Sequence, residues 1–153
     1  MRLQLVYISP RRELKSGPTQ ALVEDYIQRA NRYMPVTVQA FRSEEALLDS
    51  IARSSGRAPL HAVLLDSRGR TLSSVEFADY LGRQRDNGTQ EMLLAVGPPD
   101  GWSAAARGRA SLLLSLGPMT LAHELALAVL AEQMFRAMTI LAGHPYHSGH
   151  EIR

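Results

Sequence analysis

The densest group of reactive side chains stands near the end of the chain, in the segment His144-Pro145-Tyr146-His147. An imidazole can take up a proton near neutral pH, and a phenol ring can stack on a nucleic-acid base. The side chains of this segment are thus able to take up a proton and to stack on a base. For an arbitrary chain, however, the favoured interpretation is a frayed terminus whose histidines only face water.

Three of the polar residues on the long predicted helix before this segment have chemistry of interest. Glu132 and Arg136 are four residues apart with the acid first, which favours an ion pair along one helical face. The sharper alternative is that Arg136 orients RNA or a second subunit. His123 lies in the first helical turn, where the helix dipole disfavours a positive charge, so we predict a neutral structural residue.

Three loops rich in glycine and proline offer a second kind of chemistry. They follow predicted strands, and they begin at Leu65, at Gly97 and at Leu116. Ligands of parallel α/β sheets bind beyond the carboxyl ends of the strands, where glycine lets the backbone approach a ligand. Taken singly, such a loop is usually a plain turn. Three of them at one edge of a sheet predict a small-ligand site.

Other kinds of site find less support in the motifs. The chain has no G-x-G-x-x-G and no G-x-x-x-x-G-K-[ST], which argues against a Rossmann dinucleotide site and a P-loop. The histidines His144, His147 and His150 have no cysteine beside them and no acidic partner beyond Glu151. We therefore expect no zinc or other metal site.

Predicted strands and helices alternate along the chain. Strands are predicted over 3–9, 36–41, 62–66, 92–96 and 111–116, and helices over 19–33, 43–54, 74–86 and 121–141. This alternation is typical of a parallel α/β sheet, here in a single domain over 1–153. In the first helix, Leu22, Tyr26, Ile27 and Ala30 are predicted to point inward.

The last of these helices is the strongest structural prediction. Apolar residues recur at helical spacing, Thr120 is a suitable N-cap, and Gly143 followed by Pro145 is a typical stop. Few polar residues interrupt the helix, so two of its sides must be covered by protein. One domain of this size is expected to cover one side. The other side is a predicted homodimer interface.

Composition sets broad limits on the class of protein. The 153 residues suffice for one domain with a sizeable core, and no apolar run approaches the length of a membrane span. The absence of cysteine fits a reducing cytosol. Lys15 is the one lysine among seventeen cationic residues, and arginine suits a polyanionic partner. A high-GC genome explains the same bias equally well.

The loops and the tail together resemble a known family. LLAVGPPDGWS, SLGPMTLAHELALAVLAEQMFRA and GHPYH closely resemble the ribosomal large-subunit pseudouridine N3-methyltransferases, the RlmH type of the SPOUT superfamily. The opening RLQLV and the LLDSRG segment are also similar, and the likeness is loose only between residues 10 and 60. The resemblance implies a parallel-sheet α/β fold with a C-terminal trefoil knot. It also implies a homodimer that binds S-adenosylmethionine in that knot and methylates N3 of a pseudouridine in 23S ribosomal RNA.

The resemblance also assigns site residues by position. The tail, which in this family is expected to reach the partner subunit's cofactor pocket, would supply the catalytic residues His147, Tyr146 and His144, together with Arg136. The implied cofactor-binding residues are Leu65, Gly97, Leu116, Gly117, Pro118, Met119, Thr120 and Leu121.

Four positions depart from the family pattern. Pro98 stands where a second glycine is usual, Ala122 where proline is, Leu127 where arginine is and Phe135 where tyrosine is. Pro98 and Leu127 motivate an alternative function, a non-catalytic knotted dimer that binds RNA or the ribosome. In either case the expected partners are a second copy of the chain and the 23S RNA of the large subunit in the cytoplasm. Neither DNA nor a membrane is an expected partner.

Overall fold

The computed structural model describes residues 1–54, 58 and 60–148, so His150 and Glu151 lie outside the described residues. The described part contains one parallel sheet in the order β2-β1-β4-β3-β5, with helices between the strands. The predicted parallel α/β architecture is confirmed. The strands are β1 (Arg2–Ile8), β2 (Val36–Phe41), β3 (His61–Thr71), β4 (Glu91–Val96) and β5 (Leu112–Ser115), and the helices are α1 (Pro18–Ala30), α2 (Glu44–Ser54), α3 (Ser74–Asp86), α4 (Ala104–Arg109) and α5 (His123–Leu141).

The sheet is buried on both faces, because neighbouring residues of the central strands enter two separate cores. In β4, Leu94 joins the core formed with α1, α3 and α5, whereas Leu93 joins the core formed with α2 and α4. The same alternation separates Leu5 from Val6 in β1. The fold is therefore a three-layer sandwich, as expected for strands that read as continuous apolar runs.

Helix α1 differs from its prediction at its end and on its inner face. It ends at Ala30, three residues early, because the Asn31 side chain accepts from the Val36 backbone N–H and donates to the Ile27 carbonyl. Leu22 points outward at 47% exposure, and Val23 takes the buried place at 1%. The inward prediction for Leu22 is therefore wrong.

Helix α5 begins at His123, so Thr120 is not its N-cap. The N-cap is Ala122, whose side chain can accept no hydrogen bond, and Thr120 lies in the preceding loop. The predicted end is confirmed, since Gly143 has a positive φ of 71° and His144 N–H reaches the Thr139 carbonyl at 2.9 Å. The positive φ of Gly143 and this hydrogen bond are the features of a Schellman stop.

The sides of α5 are covered within the chain, contrary to the premise of the dimer prediction. The helix packs between α1 and α3 and against β4. Most of its apolar side chains are buried, Val129, Ile140 and Leu141 are half-buried, and Leu125 is exposed at 46%. Among the described residues, no helix is long and apolar enough to cross a membrane.

Strand β3 is longer than predicted, because it pairs twice with β5. Leu114 lies opposite Leu65 and again opposite Arg70, and the residues between them form an irregular bulge. The LLDSRG segment, expected as a loop, is therefore part of the strand. Gly69 is required here, since a Cβ would lie 2.5 Å from the Leu113 backbone. Helix α4 was not predicted at all.

Candidate functional site

A cleft of about 510 Å³ opens beside the bulge of β3 and at the carboxyl ends of β4 and β5. This volume lies within the usual range for small-molecule sites, roughly 300–1,000 Å³. The structure brings all the predicted cofactor-binding residues into the lining of this one cleft: Leu65, Gly97, Leu116, Gly117, Pro118, Met119, Thr120 and Leu121. The predicted cofactor-binding set left out other lining residues, among them Asp66, Ser67, Trp102, His123 and Ala126.

Trp102 joins two of the strand ends and forms part of the cleft wall. Its indole Nε1–H donates to the Leu65 carbonyl at 2.9 Å, and its ring packs so close to Gly97 that a Cβ there would lie 2.7 Å from it. Position 97 therefore requires glycine, because the Trp102 ring occupies the space that a Cβ would need. The side chain is 4% exposed, so it belongs to the core beneath the cleft and is not a mobile cover.

The loop between β5 and α5 forms the opposite wall. The Gly117 N–H donates to Ser115 Oγ at 3.1 Å, and Gly117 adopts a φ of 120°, a conformation that L side chains rarely adopt. Beyond this turn Met119 is 83% exposed, and Leu116 is 37% exposed. The wall therefore presents backbone groups and apolar side chains, which together suit a ligand with both a polar ring edge and an apolar body.

His123 adds an unsatisfied polar atom to the cleft lining. Its Nε2 is buried and has no hydrogen-bond partner within the described residues. A buried polar atom without a partner costs about 1–3 kcal/mol, so such atoms are usually satisfied by a ligand, a water or a small movement. The backbone cradle, the volume and this atom together fit S-adenosylmethionine, the cofactor implied by the resemblance.

The tail residues form a second group, centred on Glu132. Glu132 Oε1 accepts from Arg136 Nη2 at 2.6 Å and from the Tyr146 hydroxyl at 3.1 Å. Arg136 Nη1 also contacts His147 Nδ1 at 3.1 Å. The predicted Glu132–Arg136 pair is confirmed, and it also anchors the tail. Because the tail packs on α5, it is not a frayed end.

The contact with Arg136 fixes the hydrogen-bonding pattern of His147. A guanidinium has only donors, so His147 Nδ1 must accept, and the neutral imidazole then carries its proton on Nε2. His144 is exposed, and its Nδ1 accepts from the Tyr146 backbone N–H at 3.2 Å. For either imidazole, protonation at Nδ1 costs an existing hydrogen bond.

Tyr146 sits in an aromatic and cationic environment. Its ring meets Phe135 edge-on with centroids 4.9 Å apart, and the Arg136 guanidinium lies 4.9 Å from its centroid. Burial raises the pKa of Tyr146 strongly, and its hydrogen bonds with Tyr26 and with the Glu132 carboxylate raise that pKa further. Tyr146 therefore stays neutral and acts as a hydrogen-bond donor.

The two groups do not meet within one chain. The cleft lining includes none of the predicted catalytic residues His144, Tyr146, His147 and Arg136. No three histidine, cysteine or acidic residues gather as a metal site in the described ranges, and His150 and Glu151 fall outside them.

Residues 1–147 match the family model described as predicted SPOUT methyltransferase. The chain belongs to this family. Curated relatives named ribosomal RNA large subunit methyltransferase H include one from Koribacter versatilis, 44% identical over 98% of this chain and 100% of the relative. Another, from Brucella anthropi, is 40% identical over 88% of this chain and 92% of its own length.

Solved structures share the fold of this SPOUT methyltransferase. The SpoU methyltransferase AviRb from Streptomyces viridochromogenes aligns with a TM-score of 0.51 and 17% identity, over 94% of this chain. This chain spans 61% of that protein, less than two thirds of it. A probable methylase family protein from Haemophilus influenzae Rd KW20 gives a TM-score of 0.53 and 7% identity, over 95% of this chain and 69% of that one.

The structure shows where three of the departures from the usual family pattern lie in this SPOUT chain. Leu127 is fully buried in the core, so an arginine at this point of the chain would not face RNA. Pro98 accepts from Gly101 N–H at 2.8 Å and so closes the turn beside the cleft through its carbonyl. Phe135 lacks a hydroxyl but keeps the ring contact with Tyr146. None of these changes removes a wall of the cleft.

Proposed function

We propose that this chain is an S-adenosylmethionine-dependent methyltransferase that modifies N3 of a pseudouridine in 23S ribosomal RNA. The observation that carries the proposal is the single cleft formed by the β3 bulge and the loops after β4 and β5, in a chain whose length matches relatives named ribosomal RNA large subunit methyltransferase H. We also propose that the chain is one methyltransferase domain. A ribosomal substrate implies that the protein is located in the cytoplasm.

The cleft is the proposed cofactor half of the site. When bound, S-adenosylmethionine supplies an activated methyl group on a sulfonium sulfur. The backbone of Gly97 and of the loop from Leu116 to Leu121 holds the ligand, while Trp102 ties Leu65 of β3 to the end of β4 within one wall. Exposed Met119 is able to fold over the ligand and exclude water. Correct alignment of donor and acceptor is the main demand of a displacement at nitrogen.

The tail is the proposed acceptor half. Tyr146 positions the base, and His147 donates a hydrogen bond from Nε2 while Arg136 holds its Nδ1. The N3 proton of the base must leave before methyl transfer. If His147 takes that proton at Nδ1, Arg136 has to withdraw, whereas His144 gives up only its bond from the Tyr146 N–H. The tail therefore supplies both the positioning groups and the candidate bases.

We further propose a homodimer in which each cleft receives the tail of the other copy. Two observations support this arrangement. The tail residues do not line the cleft of their own chain, so a site with both halves needs a second chain. In addition, Leu116, Met119 and Leu125 are exposed around the cleft mouth and at the start of α5, which provides apolar surface for a partner.

Mixed dimers test the shared site. Gly117→Val damages only the cleft, and His147→Ala damages only the tail, so each variant alone is expected to be inactive. After exchange of subunits, the mixed dimer has one cleft and one tail intact in the same site. Activity should return to about a quarter of wild type, since half of the dimers are mixed and each has one working site. A mixture as inactive as its parents would show that both halves act within one chain.

The path of the chain is our reason for proposing a trefoil knot. Strand β5 lies at the sheet edge beyond β3, yet α5 returns to pack against β4 between α1 and α3. The loop from Leu116 to Leu121 also shares one cleft with the loop that starts at Gly97. A chain end threaded through the loop after β4 accounts for both facts. A crystallographic trace in which the chain end passes outside that loop would refute the knot.

Methyl incorporation tests the activity itself. Calorimetry should show binding of S-adenosylmethionine to wild type and no binding to Gly117→Val. Large ribosomal subunits incubated with labelled cofactor should then gain label with wild type alone. Binding of cofactor and subunits without incorporation would favour the alternative, a non-catalytic RNA-binding dimer.

A further inference from the structure

A second cavity of about 510 Å³ lies at the β5 edge of the sheet, outside the cleft. Three guanidinium groups line this cavity, hereafter the arginine groove, and its lining contains no carboxylate. It consists of Arg68, Gly69, Arg70, Arg107, Ala110, Ser111, Leu112 and Leu113.

The backbone around the arginine groove is held rigidly. Gly69 of β3 lies against the Leu113 backbone of β5 so closely that no Cβ fits between them. Arg107 is anchored in a similar way, because its Nη1 donates to the Trp102 carbonyl at 2.9 Å. The guanidinium groups of Arg68 and Arg107 therefore stand on fixed supports, which lowers the entropy cost of binding a ligand.

Two carboxylates lie close to the arginine groove, but both are already engaged. Asp66 accepts from Arg68 Nε at 3.1 Å, and its side chain is 5% exposed. Glu76 accepts from the Ser73 N–H at 2.6 Å in the cap of α3. The Arg70 side chain is exposed, and its guanidinium donates no hydrogen bond within the described residues. Arg107 uses one of its roughly five donors on Trp102, so several donors remain for an anion.

We propose that the arginine groove binds the phosphate backbone of the ribosomal RNA next to the methylated nucleotide. Guanidinium groups bind phosphate through paired donors, and this contact is independent of the base. The arginine groove also lies next to the cleft, because residues of the two sites are neighbours in the chain or contact each other. Asp66 and Ser67 line the cleft directly before Arg68, and Trp102 lines the cleft while holding Arg107. This inference rests on the proposed function, because it assumes an RNA substrate.

Charge reversal at Arg70 tests the inference, with Arg83→Glu as the matched control. Arg83 is an exposed arginine on α3 outside the arginine groove, so both variants change the net charge equally. Affinity for purified large subunits is measured by filter binding at several salt concentrations. Arg70→Glu should weaken binding on the order of tenfold and lower the slope of log affinity against log salt by about one phosphate contact, whereas the control stays near wild type.

Two further variants and a second readout make the result decisive. Arg70→Lys should retain most of the affinity, and Arg70→Ala replaces the charge reversal if Arg70→Glu fails to fold. Cofactor affinity by calorimetry should stay unchanged in all of them. Equal loss in the Arg70 and Arg83 variants, or loss in neither, would overturn the arginine groove as an RNA site. Wild type that binds subunits through Arg70 but transfers no methyl group would support the arginine groove and refute the proposed function.

Discussion

At the scale of single residues, the tail is organised by Glu132. One carboxylate oxygen receives donors from Arg136 and Tyr146, and its second oxygen accepts from Gln133 Nε2 at 2.8 Å. The ion pair is mostly shielded, with side-chain exposures of 12% for Arg136 and 18% for Glu132. The sequence spacing predicted this pair correctly, but spacing alone did not reveal that the pair also fixes His147 and Tyr146.

Removal of tail groups should lower turnover without changing cofactor affinity. We expect His147→Ala or Tyr146→Ala to lower turnover by roughly two orders of magnitude, the usual scale for losing a base or a positioning group. Tyr146→Phe keeps the ring contact with Phe135 and loses the hydroxyl's hydrogen bonds to Glu132 and Tyr26, so its loss should be smaller, about tenfold. Single-turnover methylation of large subunits and calorimetry separate the two effects. Full activity in both alanine variants would leave the tail as a structural terminus.

The raised pKa of Tyr146 also makes stability depend on alkaline pH. The folded chain holds this proton more tightly than the unfolded chain does. The corresponding stability is therefore complete below the unfolded pKa of about 10 and is lost as pH rises above it. Urea unfolding should show a smaller alkaline loss for Tyr146→Phe than for wild type. Part of the loss should remain, because burial raises the pKa of Tyr7 and Tyr80 in the same direction. An identical alkaline loss in the variant would contradict this account.

At the scale of elements, the loops after the strands determine the shape of the cleft. The loop after β4 depends on the contact between Gly97 and Trp102, and the bulge of β3 depends on Gly69. Each glycine permits a close approach that a side chain would prevent. The cleft is therefore built on packed backbone, and its walls need little rearrangement before a ligand binds.

Gly97→Ala should separate the Trp102 ring from the strand end. The added methyl group would lie 2.7 Å from the ring, so the ring must move and its bond to the Leu65 carbonyl weakens. We expect a loss of about 1–3 kcal/mol in the free energy of unfolding, together with weaker cofactor binding. Gly108→Ala in α4 is the control, because its Cβ would meet nothing within 4 Å. Unfolding titrations and calorimetry that find the two variants alike would refute the role of this contact.

Local patterns predicted most of the helices and strands, and the errors have physical causes. Ser73 forms a full capping box at α3, as its position indicates. Helix α4 has six residues and an alanine-rich sequence, too short to show helical periodicity. The start of α5 was predicted too early, because Thr120 has the chemistry of a cap but lies in the cleft loop.

The strand order and the double pairing of β3 with β5 are long-range features that no local pattern encodes. Grouping of the loops at one sheet edge was predictable for parallel strands. The separation of tail and cleft within one chain was expected from the family resemblance alone, because no local pattern encodes how α5 packs against α1.

At the scale of the whole molecule, the account requires two chains for each complete site. Leu125→Asp should disrupt the contact at the start of α5 and give monomers that lose methyl transfer and bind the cofactor more weakly. Val75→Asp is the matched control, since Leu125 and Val75 are both 46% exposed and Val75 lies on α3. Analytical ultracentrifugation should show monomers for the first variant and dimers for the second. Wild type that sediments as a monomer at micromolar concentration would contradict the dimer.

The central claim is that this chain adds one methyl group to N3 of a pseudouridine in 23S ribosomal RNA. The most direct test is nucleoside mass spectrometry of 23S RNA from ribosomes that lack the modification, before and after incubation with the protein and S-adenosylmethionine. The account predicts a single methylated pseudouridine, substituted at N3, with wild type and none with Gly117→Val. A methyl group on a ribose or on another base, or no methylated nucleoside although wild type binds the cofactor, would contradict it.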